Sequence, residues 1–265
     1  MLKLCVVGGL GRMGRAIAEI ASRDRDFSIV SVLEAAPAID AAADYGRATG
    51  YTRNEVLLTA DARPALEAAD VVLDFSLPAG FEALLAGVGL TPRPLVTGTT
   101  GVEDKDRRLA EIARSVAVVS APNMSVGVNI LFALAGLVAG LAGEGADIEI
   151  VETHHRTKKD VPSGTALELA RRMAASTGRS VSVGRGRGTQ QRGGDIFIHS
   201  LRMGGVAGEH TVGFSLEGEV LRIDHTALSR ECFAAGALRA ARFAAEAAPG
   251  MYSMLDVLKL KSPER

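Results

Sequence analysis

The 265-residue sequence predicts an α/β protein built from two units, and three observations support this prediction. Short apolar runs alternate with helical patterns through the first part of the chain, which is typical of a parallel sheet covered by helices on both faces. A glycine-rich turn, Gly8–Arg15, follows the first apolar run directly. From Asp147 onwards, alternating strand-like runs and a helical pattern indicate a separate α+β unit.

The elements predicted for the first unit follow one another as strand and helix. The predicted strands are Leu2–Val7, Phe27–Leu33, Val71–Phe75, Leu95–Thr97 and Ala117–Val119. The helices predicted between them are Met13–Ser22, Ala62–Ala68, Phe81–Val88 and Lys105–Arg114. The segment Glu34–Leu58 is less regular and carries no clear pattern of either kind. Repeated alternation of this sort predicts a parallel sheet.

An apolar stretch, Val126–Gly143, leads into the second unit. It has about the minimum length of a membrane span, but its four glycines and its lack of aromatic or basic flanks favour a buried helix. The strands predicted after it are Asp147–Thr153, Ile196–Leu201, His210–Leu216 and Val220–His225, and the helices are Thr165–Ser176 and Ala234–Ala247. We expect the strands after the first to form a largely antiparallel sheet. The tail, Met251–Leu260, fits either a strand or a helix.

The composition narrows the class of protein. A hydrophobic fraction of 47% and a charged fraction of 23% are ordinary for a soluble globular protein, and a net charge of −1 provides no field that would attract nucleic acid or an anionic membrane. Two cysteines and the absence of a signal-peptide pattern predict a cytoplasmic location. The Arg-Gly run Gly184–Gly194 lacks aromatic residues, so a loop is favoured over an RNA-binding tract.

The first glycine-rich turn has the layout of a dinucleotide site. Gly8, Gly11 and Gly14 are spaced so that the backbone can approach a pyrophosphate at a helix N-terminus. Glu34 ends the second predicted strand, where an acidic residue binds the adenosine ribose in Rossmann-like domains. An ordinary strand-to-helix turn is the alternative. The residues predicted to line the cofactor here are Gly8, Gly9, Leu10, Gly11, Arg12, Met13 and Glu34.

Two further turns follow predicted strands and extend the same site. Ligands of open α/β sheets lie beyond the carboxyl ends of the strands. The residues predicted to line the ribose and the nicotinamide there are Gly98, Thr99, Thr100, Ala121, Pro122, Asn123 and Met124. Ala35 and Ala36 offer no arginine for a 2′-phosphate, which favours NADH. Arg12 and Arg15 leave the use of NADPH open.

The segment His154–Ala166 concentrates the polar chemistry of the second unit. It contains two histidines, two lysines and a Ser-Gly-Thr turn before a predicted helix, and together these make a receptor for an anion. A histidine and a lysine with neighbouring cations are suited to proton transfer near neutral pH. Adjacent histidines on a strand point in opposite directions, so a metal site is disfavoured and we predict none.

Several of these motifs occur together in one known family. They are Gly8–Arg15, Asp74–Ser76, Gly98–Gly101, Ala121–Asn129, His154–Ala166, Arg202–Gly204, Gly208–Thr211, His225, Ser229–Arg230 and Gly250–Leu260. With them, the chain resembles the dihydrodipicolinate reductase (4-hydroxy-tetrahydrodipicolinate reductase) family of lysine and diaminopimelate biosynthesis. The resemblance covers essentially the whole chain. The segment from His154 to Ala166 is the most specific part of it.

The resemblance implies an α/β fold with a Rossmann-like dinucleotide-binding domain, residues 1–124 with 230–265. It also implies an α+β substrate-binding and oligomerisation domain, residues 125–229, with an open mixed sheet and a hinge between the domains. The implied partners are NADH or NADPH, a small cyclic dicarboxylate substrate and three further copies in a homotetramer. The implied catalytic residues are His154 as acid/base and Lys158 as proton donor. The substrate carboxylates would be held by His155, Ser163, Gly164 and Thr165.

Ala35 departs from the resemblance, because some family members have an arginine there that binds NADPH. A strong NADPH preference is therefore not expected. Two alternatives remain at this point. A semialdehyde dehydrogenase would need a nucleophilic cysteine, and Cys5 and Cys232 are poorly placed for that role. A regulator that senses nucleotides without catalysis would have no need of the histidine and lysine segment.

Overall fold

The computed structural model describes residues 1–35, 44–49, 54–185 and 193–260. These residues form two compact units, Met1–Ser125 with Glu231–Lys259, and Val126–Arg230 with Leu260. Ala36 and most of the predicted loop Gly184–Gly194 lie outside the described residues.

In the described ranges, the first unit contains a seven-stranded parallel sheet. Its strands are β1 (Leu2–Val7), β2 (Phe27–Leu33), β3 (Leu57–Thr59), β4 (Val71–Asp74), β5 (Leu95–Thr97), β6 (Ala117–Ser120) and, near the end of the chain, β12 (Gly250–Tyr252). The order across the sheet is β12-β6-β5-β4-β1-β2-β3. The order in which strands are added therefore reverses beside β1: β2 and β3 lie on one side of it, and β4, β5 and β6 lie on the other. This reversal creates a crevice at the carboxyl ends of β1 and β4.

Helices cover both faces of this sheet. They are α1 (Arg12–Arg23), α2 (Tyr45–Ala48), α3 (Ala62–Glu67), α4 (Pro78–Leu90), α5 (Lys105–Ile112), α8 (Glu231–Glu246) and α9 (Met254–Val257). Alternate residues of β1 enter different cores because strand side chains alternate between faces. Leu4 and Val6 pack with residues of α1 and α8, whereas Cys5 and Val7 pack with residues of α3, α4 and α5. The predicted Rossmann-like layout is thereby confirmed.

The second unit contains a mixed sheet, with five strands in the part of the chain that the structure describes. They are β7 (Asp147–His154), β8 (Val181–Val183), β9 (Ile196–Arg202), β10 (Glu209–Leu216) and β11 (Glu219–Thr226), in the order β11-β10-β7-β9-β8. β10 is antiparallel to β7 and β11, but β9 is parallel to β7 and β8. The mixed sheet that the family resemblance implies is confirmed. The expectation of a largely antiparallel sheet is wrong, because α7 (Gly164–Thr177) lies between β7 and the next strands. A strand that returns after such a helix pairs in parallel.

One face of the mixed sheet packs against α7 and α6 (Val126–Ala142). Leu131, Phe132 and Ala135 of α6 are buried in this core, whereas Leu137 and Leu141 are exposed. The predicted buried helix is therefore buried on one side only. Among the described residues, no helix is both long enough and apolar enough to span a membrane.

The opposite face of the mixed sheet, which we call the open face, carries exposed side chains. In β7, Ile148 and Ile150 point into the core, and the residues that alternate with them, such as Glu149 and Val151, point to the open face. Val151, Leu201 and Val220 are 36%, 50% and 55% exposed. The two faces of β7 thus present the same strand to very different environments.

Candidate active site

The glycine loop of the first unit begins where β1 ends. Gly8 has a φ of +76°, and a Cβ atom there would lie 2.9 Å from the Cα of Ser76. A Cβ atom on Gly14 would lie 2.4 Å from the Cα of Gly9, so α1 can pack this close to the loop only with glycine at that position. Gly11 caps α1 without a side chain. The first N–H groups of α1 are left for an anion, as a pyrophosphate requires.

Glu34 lies directly against this loop. The backbone N–H of Leu10 donates to the Glu34 carboxylate at 3.0 Å, and the N–H of Ala35 donates to its other oxygen at 3.3 Å. Arg15 is bound to the loop as well, because its Nε donates to the Leu10 carbonyl at 3.0 Å. The structure therefore brings the predicted acidic residue and the glycine loop together at the end of the first two strands.

A buried carboxylate connects the turns that follow β4 and β5. Asp74 is fully buried and accepts hydrogen bonds from Thr97 Oγ1 at 2.7 Å and from Ser76 Oγ at 2.6 Å. Thr99 Oγ1 donates to the Ser76 carbonyl at 3.1 Å. Gly98 is adjacent, and a Cβ atom there would strike the ring of Phe75. The predicted Gly98–Gly101 turn is therefore held in place by a network that the sequence patterns did not reveal.

Lys105 also contacts the Gly98–Gly101 turn. Its Nζ donates to the carbonyl of Thr99, and it lies 5.8 Å from the centre of the Phe81 ring. Burial lowers the pKa of Lys105, against the opposing effect of Asp74. Thr100, at the outer side of the turn, is exposed.

The four predicted residues of the turn after β6 differ in how exposed they are. Ala121 is buried and its N–H donates to the Thr97 carbonyl, whereas Pro122 is exposed. Asn123 accepts a hydrogen bond from the N–H of Ser125 at 2.9 Å. The side chain of Met124 is buried in the core. Only the backbone of Met124 is therefore available to line a cofactor.

Neither cysteine is suited to act as a nucleophile. Cys5 is fully buried in β1, and burial raises its pKa to about 11. Burial also raises the pKa of Cys232. A thiolate is the nucleophilic form, so neither residue supports the chemistry of a semialdehyde dehydrogenase.

In the second unit, His154 ends β7 on the buried face of the strand. Its side chain is 10% exposed, and its Nδ1 contacts the Glu152 carboxylate. A Cβ atom on Gly208 would lie 3.1 Å from His154 Nε2, so the ring sits closely against the backbone of that glycine. Burial lowers the pKa of His154, and Lys158 and Arg202 lower it further against the opposing effect of Glu152.

Glu152 is completely buried and is held by an arginine fork. Arg202 Nη1 donates to one carboxylate oxygen at 3.0 Å, and Nη2 donates to the other at 2.9 Å. Burial alone would raise the pKa of Glu152, but hydrogen bonds from Arg202 and His154 outweigh it and hold the pKa below its ordinary value. Glu152 is therefore an ionised carboxylate in the interior of the unit.

Lys158 lies in the loop after β7. Its Nζ is 2.8 Å from Asp160 Oδ2, and its side chain is 22% exposed. The neighbouring cations, Arg156 and Lys159, are exposed. The closest charged partner of Lys158 is therefore a carboxylate. Lys158 is partly exposed to solvent, and its position is fixed by this contact.

His155 points to a different environment from that of His154. Its Nδ1 lies 2.8 Å from Thr157 Oγ1, and the residue is half-buried. Within the residues that the structure describes, no group of three or more histidine, cysteine or acidic side chains could hold a metal ion.

The Ser-Gly-Thr turn forms the start of α7. Ser163 is the N-cap, and its Oγ accepts a hydrogen bond from the N–H of Ala166 at 3.2 Å. Gly164 is exposed and Thr165 is half-buried, so the first turn of a 14-residue helix opens towards solvent. The N-terminus of a helix attracts a carboxylate because the helix dipole places partial positive charge there.

His210 lies beside His154 as well. From the sequence, Arg202 and His210 were named only within motifs of the family resemblance, without a role, and Glu152 was not singled out. The His210 ring packs edge-on against His154 with 5.2 Å between centroids, and its Nε2 lies 3.4 Å from Ser163 Oγ. Burial lowers the pKa of His210 to about 3. The alternation of β7 is a signal that could have revealed Glu152, since it places this charged residue on the face that Ile148 and Ile150 share.

The chain matches known families over nearly its whole length. Residues 2–124 match the family model of the dihydrodipicolinate reductase N-terminus, and residues 127–258 match that of the C-terminus. A 4-hydroxy-tetrahydrodipicolinate reductase from Rubrobacter xylanophilus is 44% identical over 97% of this chain and 98% of the relative. One from Thiobacillus denitrificans is 40% identical over 98% of this chain and 99% of the relative.

Solved structures show the same fold. A dipicolinate-bound dihydrodipicolinate reductase from Paenisporosarcina sp. TG-14 superposes with a TM-score of 0.77 at 22% identity, covering 97% of this chain and 98% of that one. An amine dehydrogenase from Mycobacterium smegmatis superposes with a TM-score of 0.65 at 14% identity, covering 96% and 95%.

Proposed function

The chain belongs to the dihydrodipicolinate reductase family, and from this premise we propose how its residues divide the work of the reaction. It is an oxidoreductase that reduces 4-hydroxy-tetrahydrodipicolinate to tetrahydrodipicolinate with a pyridine nucleotide, a step of diaminopimelate and lysine biosynthesis. The observation that carries the division of roles is the second unit's buried His154, placed beside Lys158 and an open helix N-terminus.

The first unit would hold the nucleotide. The N–H groups at the start of α1 would bind the pyrophosphate, and the Glu34 carboxylate, already at the loop, would accept from the ribose hydroxyls. The turns at Gly98–Thr100 and Ala121–Met124 would line its nicotinamide half. When bound, the nucleotide supplies the hydride.

The protein supplies the proton. We propose Lys158 as the donor to the substrate atom that becomes electron-rich, and His154 Nε2 as the acid/base beside it. The ammonium of Lys158 is oriented by Asp160 at 2.8 Å. The N–H groups of Gly164 and Thr165, the Ser163 turn and His155 would bind the two substrate carboxylates, because cations and the positive end of a helix dipole collect at this point.

A coupled assay with matched lysine variants tests these roles. The preceding synthase would supply substrate from pyruvate and aspartate semialdehyde, and oxidation of NADH and NADPH would be followed separately. Lys158→Ala should lower kcat by roughly 10²- to 10⁴-fold, the contribution typical of general acid catalysis, and should weaken NADH binding far less. Lys159→Ala, at the exposed neighbour, is the control and should change kcat by less than about twofold. An equal loss in the two variants would remove Lys158 from the mechanism.

For the cofactor, we propose that NADH is favoured. Glu34 would repel a 2′-phosphate, and Ala35 offers no guanidinium to bind one. Ala35→Arg should therefore raise the ratio of kcat/KM for NADPH to that for NADH. An unchanged ratio would show that these two residues do not determine the preference.

For the oligomer, we propose a homotetramer formed through the open face of the mixed sheet. Exposed Val151, Leu201 and Val220 give this face apolar surface that a copy of the chain could bury. Sedimentation velocity should give four times the mass of one chain. A monomer at micromolar concentration would contradict this proposal.

A further inference from the structure

One buried carboxylate, that of Glu152, contacts His154, the N-cap of α7 and Arg202. Glu152 Oε2 contacts His154 Nδ1, and Glu152 Oε1 accepts from the backbone N–H of Ser163 at 3.2 Å. Both oxygens accept from Arg202, whose Nη2 also donates to the carbonyl of Asp160 at 2.6 Å. Glu152 therefore joins the acid/base histidine to the helix start directly, and Arg202 links it to the loop of the proton donor.

The contact with Glu152 determines which nitrogen of His154 carries a proton. An ionised carboxylate can only accept hydrogen bonds, so Nδ1 must be the donor. In the neutral ring, Nε2 then holds the lone pair, and it gains the proton when the ring becomes charged. Among the described residues, Nε2 makes no hydrogen bond. It is thus the nitrogen left for a ligand.

Arg202 keeps Glu152 ionised, and the position of the proton on His154 Nδ1 depends on that charge. A buried carboxylate without a partner would take up a proton rather than stay charged. The two-pronged contact of Arg202 with Glu152 prevents this, and the Arg202 side chain is itself only 17% exposed. Two further bonds from Arg202, to the Leu201 and Asp160 carbonyls, restrict the orientation of the fork.

We propose that Glu152, kept ionised by Arg202, is the positioning residue of His154, and that it holds the ring in the Nδ1–H tautomer so that Nε2 exchanges the proton with the substrate. This inference rests on the proposed role of His154 in the reaction. It assigns to Glu152 no contact with the substrate. It also makes one arginine the link between the histidine and the loop that carries Lys158.

The sign of the expected pH effect follows from the charges around the ring. The groups that face His154 or its ring neighbours are Glu152 on its own strand, Lys158 and Asp160 in the following loop, Arg202 on β9, His210 on β10 and His225 on β11. Of these, Glu152 is the group that raises the pKa of His154. Removing its charge must therefore lower that pKa, and any kinetic limb due to His154 must move to lower pH.

Histidine NMR on the full-length chain tests the proposal directly. The chain has five histidines, so long-range ¹H–¹⁵N spectra can be assigned, with His154 identified by its loss in His154→Gln. The wild type should show His154 as the Nδ1–H tautomer. In Glu152→Gln, both tautomers should appear, the His154 titration midpoint should fall, and kcat should drop by roughly 10²- to 10⁴-fold with a smaller change in KM.

Glu149→Gln is the matched control for the spectra. Glu149 lies on the same strand, on the open face, and its carboxylate pairs with His199 at 2.7 Å. This variant should alter the ring signals of His199 and leave those of His154 unchanged. If Glu152→Gln leaves the His154 tautomer and titration as in the wild type, the proposal is overturned, whatever happens to kcat.

A double variant serves as a second test in case Glu152→Gln alone fails to fold. Glu152→Gln leaves Arg202 without its anion, whereas Glu152→Gln with Arg202→Met removes both charges and leaves no unpaired buried ion. The double variant should also show mixed His154 tautomers, and retention of the pure Nδ1–H form would overturn the proposal. A failure of the proposed function would appear separately, as a wild-type protein without reductase activity. The NMR result would be unaffected, because it does not depend on turnover.

Discussion

Two clusters beside β7, one on each face of the mixed sheet, contain the same three kinds of side chain, a carboxylate, a histidine and an arginine. On the open face they are Glu149, His199 and Arg185, and on the buried face they are Glu152, His154 and Arg202. The carboxylates differ most, since the side chain of Glu149 is 30% exposed and that of Glu152 is not exposed at all. Residue types alone therefore do not separate a proton-handling site from an ordinary cluster of charges.

The two clusters also use their histidines differently. Glu149 contacts His199 through Nε2, whereas Glu152 contacts His154 through Nδ1 and leaves Nε2 for a ligand. In the single chain, water partly screens the charges of the open cluster, while the buried cluster keeps its electrostatic interactions in a medium of low polarity. We propose that burial and the choice of nitrogen together suit the buried cluster for proton transfer.

The largest expected difference between the faces is in stability. Arg202→Met leaves the buried Glu152 carboxylate without its arginine partner, which should lower the free energy of unfolding by about 3–5 kcal/mol. Arg185→Met removes a partly exposed partner of Glu149 and should cost about 0–1 kcal/mol. Urea unfolding of the two variants measures both values. Equal losses would show that the faces do not differ in the way we describe.

A second expected difference is that the stability of the buried cluster depends on pH. His210 has an ordinary pKa of 6.5 and a folded pKa of about 3, so between these values the unfolded chain binds more protons than the folded one. Stability must therefore fall as the pH decreases below 6.5, by up to ~1.4 kcal/mol per pH unit from this group. Urea unfolding at pH 6.5, 5.75 and 5 should show a shallower fall for His210→Gln than for the wild type. Parallel curves would contradict the prediction.

The smallest expected effect concerns two glycines. A Cβ atom on Gly208 would lie 3.1 Å from His154 Nε2, so Gly208→Ala should shift the ring by a few tenths of an ångström and lower kcat by about three- to tenfold. Gly213→Ala, in β10, would meet only the Glu149 carbonyl at 3.9 Å, which is an ordinary contact. Its kcat should equal that of the wild type. Steady-state kinetics of both variants decides whether the position of the ring matters.

Most of the fold could be predicted because it follows local patterns. The alternation of strands and helices placed the parallel sheet, and the predicted Phe27–Leu33 and Leu95–Thr97 coincide with β2 and β5. The strands β3 and β8 were missed although β5, equally three residues long, was predicted, because so short a run does not by itself distinguish a strand from a loop. The parallel pairing of β9 with β7 was missed too, because a strand pattern does not specify its partner.

In the second unit, the candidate site could be predicted only where its residues lie together in the sequence. The histidine and lysine segment is continuous, and the structure places it at the end of β7 and the start of α7. Glu152 and Arg202 are 50 residues apart and meet because β7 and β9 pair side by side. The conflict between a charged Glu152 and an inward-facing position was visible in the sequence, but its resolution by Arg202 was not.

The central claim is that the buried face of β7 performs the chemistry and that the open face does not. Measuring kcat in the coupled assay for His154→Gln and His199→Gln tests it most directly, with sedimentation confirming that both variants keep the wild-type assembly. We expect a loss of roughly 10²- to 10⁴-fold for His154→Gln and less than about twofold for His199→Gln. Equal losses in variants with wild-type sedimentation, or full activity of His154→Gln, would contradict the account.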